Sequence, residues 1–261
     1  MTSHSAQPTR RPDLSFVREF AGNEWFNRSY WPENRDRAIA MLEDLRERLP
    51  AGSQVFDVGC ANGFISMLLA DNGYRVTATD AWLIEERGPM FTSRGVSFFQ
   101  SNFNAAPPFE AIADGTFDAV ILGEVIEHIL NHPLGFLQDL RRVLRPDGVL
   151  ILTTPNPSTV ANAVRVLLDR HSLWGTAAFA SQPKFDDKII DAGDIHYREY
   201  RTSELKRLLT TAGFRVEVFR YTAMGTSETQ PILKRLVKKT FGGVLTSRLF
   251  GSGHYVIARS I

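Results

Sequence analysis

A chain of 261 residues, 43% of them apolar, is long enough for one large domain with an insertion or for two small domains. Its net charge of +1 gives no general attraction to nucleic acid or to an anionic membrane, and its single cysteine, Cys60, excludes an internal disulfide and favours a reducing cytoplasm. No apolar run approaches the ~20 residues of a membrane span. The polar residues 1–13 lack the apolar core of a signal peptide, and we expect them to be disordered.

Residues 14–50 show the apolar periodicity of helices, interrupted at residues 24–35 by large aromatic residues among polar ones. We interpret this segment as lid helices, with Tyr30 in a wall against a bound ligand, while ordinary core packing explains the aromatic residues equally well. Arg28 and Arg35 are the candidates for binding an anionic group of that ligand, whereas most arginines on amphipathic helices face solvent.

The sequence VFDVGCANG at residues 55–63 predicts a short buried strand, a tight turn of small residues and the start of a helix. Small residues let backbone N–H groups approach a ligand. A dinucleotide fingerprint aligned here would put Phe64 at its third small position, and Asp57 would repel a pyrophosphate. A cationic nucleoside without phosphate therefore fits these residues better.

This stretch resembles the first motif, hh(D/E)xGxGxG, of the class I methyltransferases that depend on S-adenosylmethionine (SAM), with Ala61 at the central glycine. The resemblance implies an α/β fold with a Rossmann-like sheet of seven strands, helices on both faces and a last strand that runs antiparallel between the fifth and the sixth. It also implies that the lid helices close over SAM and that Arg28 or Arg35 pairs with its methionine carboxylate.

Residues 75–79 predict a second strand that ends at Asp80, where Rossmann-like folds bind the two hydroxyls of a ribose. Trp82 follows, and either lies on the adenine or packs in the core. A third strand at residues 96–100 leads to Asn102, whose amide oxygen can accept a bond from the adenine amino group where the resembled family commonly has aspartate.

Residues 117–122 are nearly continuously apolar and predict a central parallel strand that leads to Gly123, which by resemblance flanks the methionine part of SAM. A turn at residues 145–148 and a fifth strand at residues 149–154 follow. The predicted cofactor-binding residues are Tyr30, Asp57, Gly59, Cys60, Ala61, Gly63, Asp80, Ala81, Trp82, Asn102, Phe103 and Gly123.

The sequence GEVIEHI at residues 123–129 places two carboxylates and an imidazole close together. Similar E-x-x-E-H spacing binds a divalent ion in ubiquinone-biosynthesis O-methyltransferases and in small-RNA 2′-O-methyltransferases, which implies that Glu124, Glu127 and His128 hold Mg²⁺ or Mn²⁺. Many metal-free relatives share the motif and use it to orient backbone and line the pocket, so both alternatives stay open. Asp194 or His196 would supply a fourth ligand.

Residues 156–196 break the strand–helix rhythm, and we interpret them as a helical cap inserted after the fifth strand, above the acceptor. Residues 196–214 predict a capped helix and resemble methyltransferases associated with ubiquinone-like molecules and cell-surface glycans. His196 precedes that helix as a candidate general base, a metal ligand or an anchor for the cap. The predicted catalytic residues are Glu124, His128 and His196.

These observations predict one class I methyltransferase domain at residues 14–261 that uses SAM, with Mg²⁺ as a second candidate cofactor. The expected reaction is methyl transfer to a hydroxyl of a small molecule or saccharide. The alternatives are a non-catalytic protein that binds SAM or its demethylated product, and a metal-dependent RNA 2′-O-methyltransferase, against which the near-neutral charge argues. A basic helix face at residues 231–239 is interpreted as solvated, with lipid contact as the alternative. No oligomeric state is predicted.

Overall fold

The computed structural model describes residues 11–24, 26–81, 87–104, 107–168, 196–222 and 248–261. The described residues form one sheet of seven strands in the order β3-β2-β1-β4-β5-β7-β6. Its strands are β1 (Gln54–Val58), β2 (Arg75–Asp80), β3 (Ser97–Gln100), β4 (Phe117–Gly123), β5 (Leu144–Pro155), β6 (Phe214–Thr222) and β7 (Gly253–Ser260). The described helices are α1 (Trp31–Arg46), α2 (Phe64–Asp71), α3 (Gly88–Thr92), α4 (Pro133–Val143), α5 (Val160–Leu167) and α6 (Thr202–Thr211).

The sheet separates two hydrophobic cores, as the strand sequences require. Strands β1 to β5 pair in parallel, and β7 runs antiparallel between β5 and β6. Alternate residues of one strand point to opposite faces, so that Val55 packs with Met41 of α1 and Leu68 of α2, while Phe56 lies in the core that holds Leu137 of α4 and Leu205 of α6. The predicted fold class, including the position of the last strand, is confirmed.

The segment before α1 is less regular than the predicted helices. A 3₁₀ helix, Ser15–Phe20, and a π-helical turn, Phe26–Tyr30, precede α1. Buried aromatic rings dictate this path: the rings of Phe20 and Phe26 stack at 3.9 Å, and Trp31 meets Phe16 edge-on at 5.2 Å. Periodicity detected the helical character and missed the breaks, because aromatic packing sets them.

Helix α1 is tied to the far edge of the sheet by a buried carboxylate. Asp44 accepts hydrogen bonds from the hydroxyl of Tyr255 on β7 at 2.8 Å, from Arg220 on β6 at 2.9 Å and from Arg48 at 3.0 Å. Three donors compensate the cost of burying the charge. These contacts fix the position of α1 on the sheet.

The prediction of a turn at residues 145–148 is wrong, because these residues belong to β5. The structure continues β5 through this stretch, because Leu144 already pairs with Phe117 of β4. The register shifts after that pair, and Asp147 takes a left-handed φ of 59°. The Pro-Asp-Gly sequence thus forms a bulge inside a strand.

Several predictions fall on parts of the chain outside the described residues. These include most of residues 1–13, most of the cap at residues 156–196, the helix at residues 231–239, and the side chains of Trp25, Trp82 and Asp194. Within residues 156–196 the structure describes one helix, α5, and the prediction of a cap stays a prediction. Within the described ranges, no helix combines the length and the apolar character needed to cross a membrane.

Candidate functional site

The turn between β1 and α2 has a backbone that only small residues tolerate. Gly59, Ala61 and Gly63 have φ angles of 74°, 45° and 74°, all in the left-handed region. A Cβ on Gly59 would overlap the side chain of Val125, and one on Gly63 would overlap the ring of Phe91. The small residues singled out in the sequence are therefore required by both conformation and space.

The same turn is held against the end of β2. The backbone N–H groups of Gly59 and Cys60 donate to the Thr79 carbonyl at 2.8 and 3.1 Å. Asp80 accepts a hydrogen bond from the Ala61 N–H through Oδ2 at 2.8 Å. The predicted ribose-binding carboxylate and the predicted nucleoside-binding turn thus form one unit at the carboxyl edge of the sheet, where open α/β sheets bind ligands.

Asp57 brings a second carboxylate under this turn. It is buried and accepts a hydrogen bond from the Ser66 hydroxyl at 2.5 Å. Burial raises its pKa to about 6, and the hydroxyl of Ser66 opposes the shift while the charge of Asp80 adds to it. Two neighbouring acidic groups create an environment that favours a cation and disfavours a phosphate.

Tyr30 lies over the turn from the lid side. Its hydroxyl hydrogen-bonds the side chain of Asn62, and its ring meets Phe64 edge-on at 5.3 Å. Burial raises the pKa of this hydroxyl. Trp31, in contrast, packs in the aromatic core, which confirms the structural interpretation for that residue.

Arg37 is the arginine that reaches this region, and the sequence pattern did not reveal it. Arg28 is exposed and pairs with Glu24, and Arg35 is also exposed. The guanidinium of Arg37 hydrogen-bonds Asn34 at 2.7 Å and lies 3.1 Å from the Glu124 carboxylate in a geometry that makes an ion contact without a hydrogen bond. Its buried Nε has no hydrogen-bond partner among the described residues.

Glu124 is held at both its backbone and its side chain. It has a left-handed φ of 59°, rare for a residue with a side chain, and its N–H donates to the Thr153 carbonyl at 2.9 Å. It follows Gly123, which ends β4 close to Met41 of the lid helix. The strained backbone and the ion contact together direct its carboxylate towards Arg37.

On the adenine side of the predicted site, the predicted residues are engaged in contacts within the protein. Asn102 is exposed, and its amide oxygen accepts the Asn104 N–H at 3.0 Å. The ring of Phe103 lies 5.9 Å from that of Phe136, within the second core. Ala81 follows β2 directly, and its carbonyl accepts a bond from Gln100 at 2.7 Å.

A second cluster lies beyond β4, formed by Glu127, His128 and His196. One possible ligand atom from each lies within 4.8 Å of the others, and the two imidazole rings meet edge-on at 5.0 Å. Glu127 is fully buried and accepts a hydrogen bond from Thr154 at 2.9 Å. Burial raises its pKa well above the usual value, and the nearby charge of Glu124 adds to the shift. The cluster thus joins the segment after β4 to the segment before α6.

The donors in this cluster do not fit the Mg²⁺ site that the sequence implied. Glu124 is directed to Arg37 and lies outside the group, whose potential donors are one carboxylate and two imidazoles. Mg²⁺ prefers oxygen donors in octahedral geometry. The burial of Glu127 also favours its neutral form, a poor metal ligand.

Glu199 is a second residue that is missing from the predicted site. Its carboxylate lies 2.9 Å from Nδ1 of His196. Its spacing of three residues from a histidine in HYREY was a visible signal. For Arg37, the signal was a charge on the same helical stripe as the buried Met41 and Leu45.

Comparisons with known proteins agree with this geometry. A Rossmann-like sheet with a left-handed turn of small residues and a carboxylate after β2 defines a class of nucleoside-binding α/β proteins. Residues 30–218, more than half of the chain, match a family model described as a methyltransferase domain. The chain therefore belongs to the class I SAM-dependent methyltransferases, and it is an enzyme of that kind.

A related protein and two solved structures are similar to the chain. It is 30% identical over 180 residues to a ubiquinone biosynthesis O-methyltransferase from Xanthomonas axonopodis pv. citri (strain 306), over 67% of this chain and 69% of the relative. The structure of a SAM-dependent methyltransferase from Archaeoglobus fulgidus aligns with a TM-score of 0.54 at 17% identity. The alignment covers 95% of this chain and 100% of that one.

The second structure is a Burkholderia thailandensis 1,6-didemethyltoxoflavin-N1-methyltransferase with bound 1,6-didemethyltoxoflavin and S-adenosylhomocysteine. Its TM-score is 0.56 at 17% identity, covering 97% of this chain and 92% of that one. Both structures show the shared fold.

The crowding around Gly59 leads to a first prediction. Gly59→Ala should lower the free energy of unfolding by about 1–2 kcal/mol from left-handed strain and by about 1–3 kcal/mol more from overlap with Val125. Gly52→Ala is the matched control, because Gly52 has φ +86° and no atom within 4 Å of the position that a Cβ would take. Urea unfolding measures both. Adding Val125→Ala should recover part of the Gly59→Ala loss, and equal losses at Gly59 and Gly52 would contradict the packing argument.

Proposed function

We propose that the chain transfers the methyl group of SAM to a hydroxyl oxygen of a small molecule or saccharide. The observation that carries this proposal is the placement of His196 against His128 and Glu127, just beyond the carboxyl end of β4. An imidazole there can accept the proton of a hydroxyl whose oxygen attacks the methyl group. The similarity to ubiquinone biosynthesis O-methyltransferases supports a hydroxyl acceptor.

In this proposal SAM binds at the turn after β1 and the carboxyl end of β2. Asp80 accepts from the ribose hydroxyls, and the turn at residues 59–63 lies under the nucleoside. Arg37 takes the role that the sequence pattern suggested for Arg28 or Arg35, because its guanidinium lies beside Glu124 and retains an unused buried donor. Asp57 provides negative charge for the cationic end of the cofactor, and Tyr30 closes the lid side.

The chemistry needs little charge stabilisation from the protein. The acceptor oxygen forms a bond to the methyl carbon while the carbon–sulfur bond breaks, so that the sulfonium becomes a neutral thioether. Most of the acceleration should come from holding donor and acceptor in line. His196 takes the hydroxyl proton as the oxygen–methyl bond forms, His128 lines the acceptor side, and Glu124 orients Arg37. Mg²⁺ has no step in this scheme, and a cytoplasmic location stays a prediction.

A transfer assay with radiolabelled SAM tests the proposal. The panel contains phenols, catechols and quinol precursors, sugars and nucleotide sugars, amines and RNA, each with and without a chelator. We expect label on a hydroxyl of a small molecule or saccharide, and the same rate with chelator. Label confined to an amine, a carbon acceptor or RNA would overturn the proposal, as would SAM binding without transfer to any acceptor.

The same assay has a matched pair of variants. His196→Asn should lower kcat by about 10²–10⁴-fold, the usual contribution of a general base. His132→Asn changes an exposed histidine at the start of α4, where asparagine also suits the helix terminus, and should leave kcat unchanged.

The raised pKa of Asp57 predicts a pH dependence of SAM binding. The cationic cofactor favours the ionised carboxylate, whereas the free protein holds a proton at Asp57 below about pH 6. Binding must then displace that proton, so affinity should fall as the pH decreases, approaching about tenfold per pH unit below the pKa. Calorimetric titration from pH 7 to pH 5 measures the slope.

Two variants test whether the pH dependence arises from Asp57 or from another buried carboxyl group, Glu127. Asp57→Asn should bind SAM more weakly at pH 7 and lose the slope. Glu127→Gln removes the other carboxyl whose pKa burial raises, and should keep the slope. A slope that survives Asp57→Asn would assign the effect to a different group.

A further inference from the structure

His196 is one half of a closely packed pair with Glu199. Oε1 of Glu199 lies 2.9 Å from Nδ1 of His196, and the side chains are 5% and 12% exposed, respectively. A carboxylate at that distance accepts the Nδ1–H of a neutral imidazole and leaves Nε2 as the nitrogen with a lone pair. The contact therefore selects one of the two tautomers.

The segment that carries the pair is fixed at both ends. The N–H groups of Tyr197 and Arg198 both donate to the carbonyl of Glu127, at 2.9 and 3.3 Å. A few residues later, the Glu204 carboxylate accepts the Arg201 N–H at 3.0 Å and starts α6. Because the backbone is held on both sides, the His196–Glu199 contact is a property of the folded chain rather than of a mobile loop.

The charged and titratable groups around His196 come from two elements. Glu127 and His128 face it from the segment after β4, and Glu199 lies on its own segment. Arg198 is turned away, with its guanidinium over the Tyr200 ring at 5.3 Å and 3.3 Å from Glu204. Glu199 is thus the group that hydrogen-bonds Nδ1.

We infer that Glu199 is a positioning residue for methyl transfer, which fixes the tautomer and ring orientation of His196 so that Nε2 faces the acceptor hydroxyl. This inference rests on the proposed function. As the oxygen–methyl bond forms and the carbon–sulfur bond breaks, Nε2 takes the hydroxyl proton and the Glu199 carboxylate stabilises the imidazolium. The products are the methyl ether, S-adenosylhomocysteine and a proton that His196 later releases to water.

Stability gives no sufficient reason for the pair. A buried carboxylate paired with a polar or charged side chain often contributes no more stability than apolar side chains of the same size, because desolvation of the carboxylate opposes the attraction. The orientation of the imidazole affects catalysis instead, since proton transfer depends on which ring nitrogen holds the proton. Positioning therefore accounts for the buried carboxylate beside a histidine at the acceptor side.

The test is Glu199→Gln, whose amide has nearly the same shape but can accept from or donate to Nδ1 and so permits both tautomers. We expect kcat to fall about 10–100-fold with the KM for SAM unchanged. The ¹⁵N spectrum of His196, assigned with His196→Asn, should change from one tautomer to a mixture. Glu199→Asp should keep a carboxylate and recover part of kcat.

Glu217→Gln is the control, because Glu217 is a partly buried carboxylate on β6 that pairs with Arg259 and lies on a different element. It should leave the His196 spectrum and kcat unchanged. Thermal unfolding checks that the Gln variant is folded. If it is not, Glu199→Asp takes its place: its shorter side chain should weaken the contact with Nδ1, so that kcat falls and a second tautomer appears, both to a smaller extent, and an unchanged spectrum and kcat would overturn the inference.

An unchanged His196 tautomer in Glu199→Gln would overturn the inference, and so would an unchanged kcat despite a mixed tautomer. The proposed function fails separately, if His196→Asn retains full kcat or if the label goes to no hydroxyl. The spectrum distinguishes the two failures, since it reports the pairing whatever the acceptor is.

Discussion

The left-handed turn after β1 is the constraint on which the rest of the site depends. Its backbone can adopt three left-handed residues only where side chains are small, and the space beside it is filled by Val125 and Phe91. Its N–H groups are bound to the end of β2, which brings Asp80 to the turn. Val125, which fills the space beside Gly59, lies between Glu124 and Glu127 in the chain after β4. The turn proposed for the cofactor therefore packs against the segment that carries groups of the proposed acceptor side.

A buried carboxyl group lies on each of these two sides. Asp57 and Glu127 are buried carboxyl groups whose pKa values are raised by burial, and each lies beneath a place proposed for a ligand. Near the cofactor side, Asp57 and Asp80 favour a sulfonium nucleoside over a dinucleotide. On the acceptor side, burial raises the pKa of Glu127, His196 is the proposed base, and the imidazole-rich donor set disfavours Mg²⁺. Helix α1 joins the two sides through the contact of Arg37 with Glu124.

The sequence predicts the features that depend on local pattern. Buried strands are visible as apolar runs, and the carboxyl ends of parallel strands meet at one edge, so Asp80 and Gly123 could be placed from their positions alone. Features that depend on remote partners could not be predicted. The contact between Arg37 and Glu124 joins α1 to the end of β4, and the pairing of Leu144 with Phe117 turns an apparent loop into a bulged strand. The spacing of Glu199 from His196 is visible in the sequence, but the burial of the pair, on which the proposed role depends, is visible only in the fold.

A crystal structure of the protein with S-adenosylhomocysteine would show whether the turn after β1 holds the cofactor. We expect the ribose hydroxyls within hydrogen-bonding distance of Asp80, over the turn at residues 59–63, with the carboxylate of the ligand at Arg37. A ligand bound away from this turn, or a turn that accepts NADH and leaves S-adenosylhomocysteine unbound, would contradict this expectation.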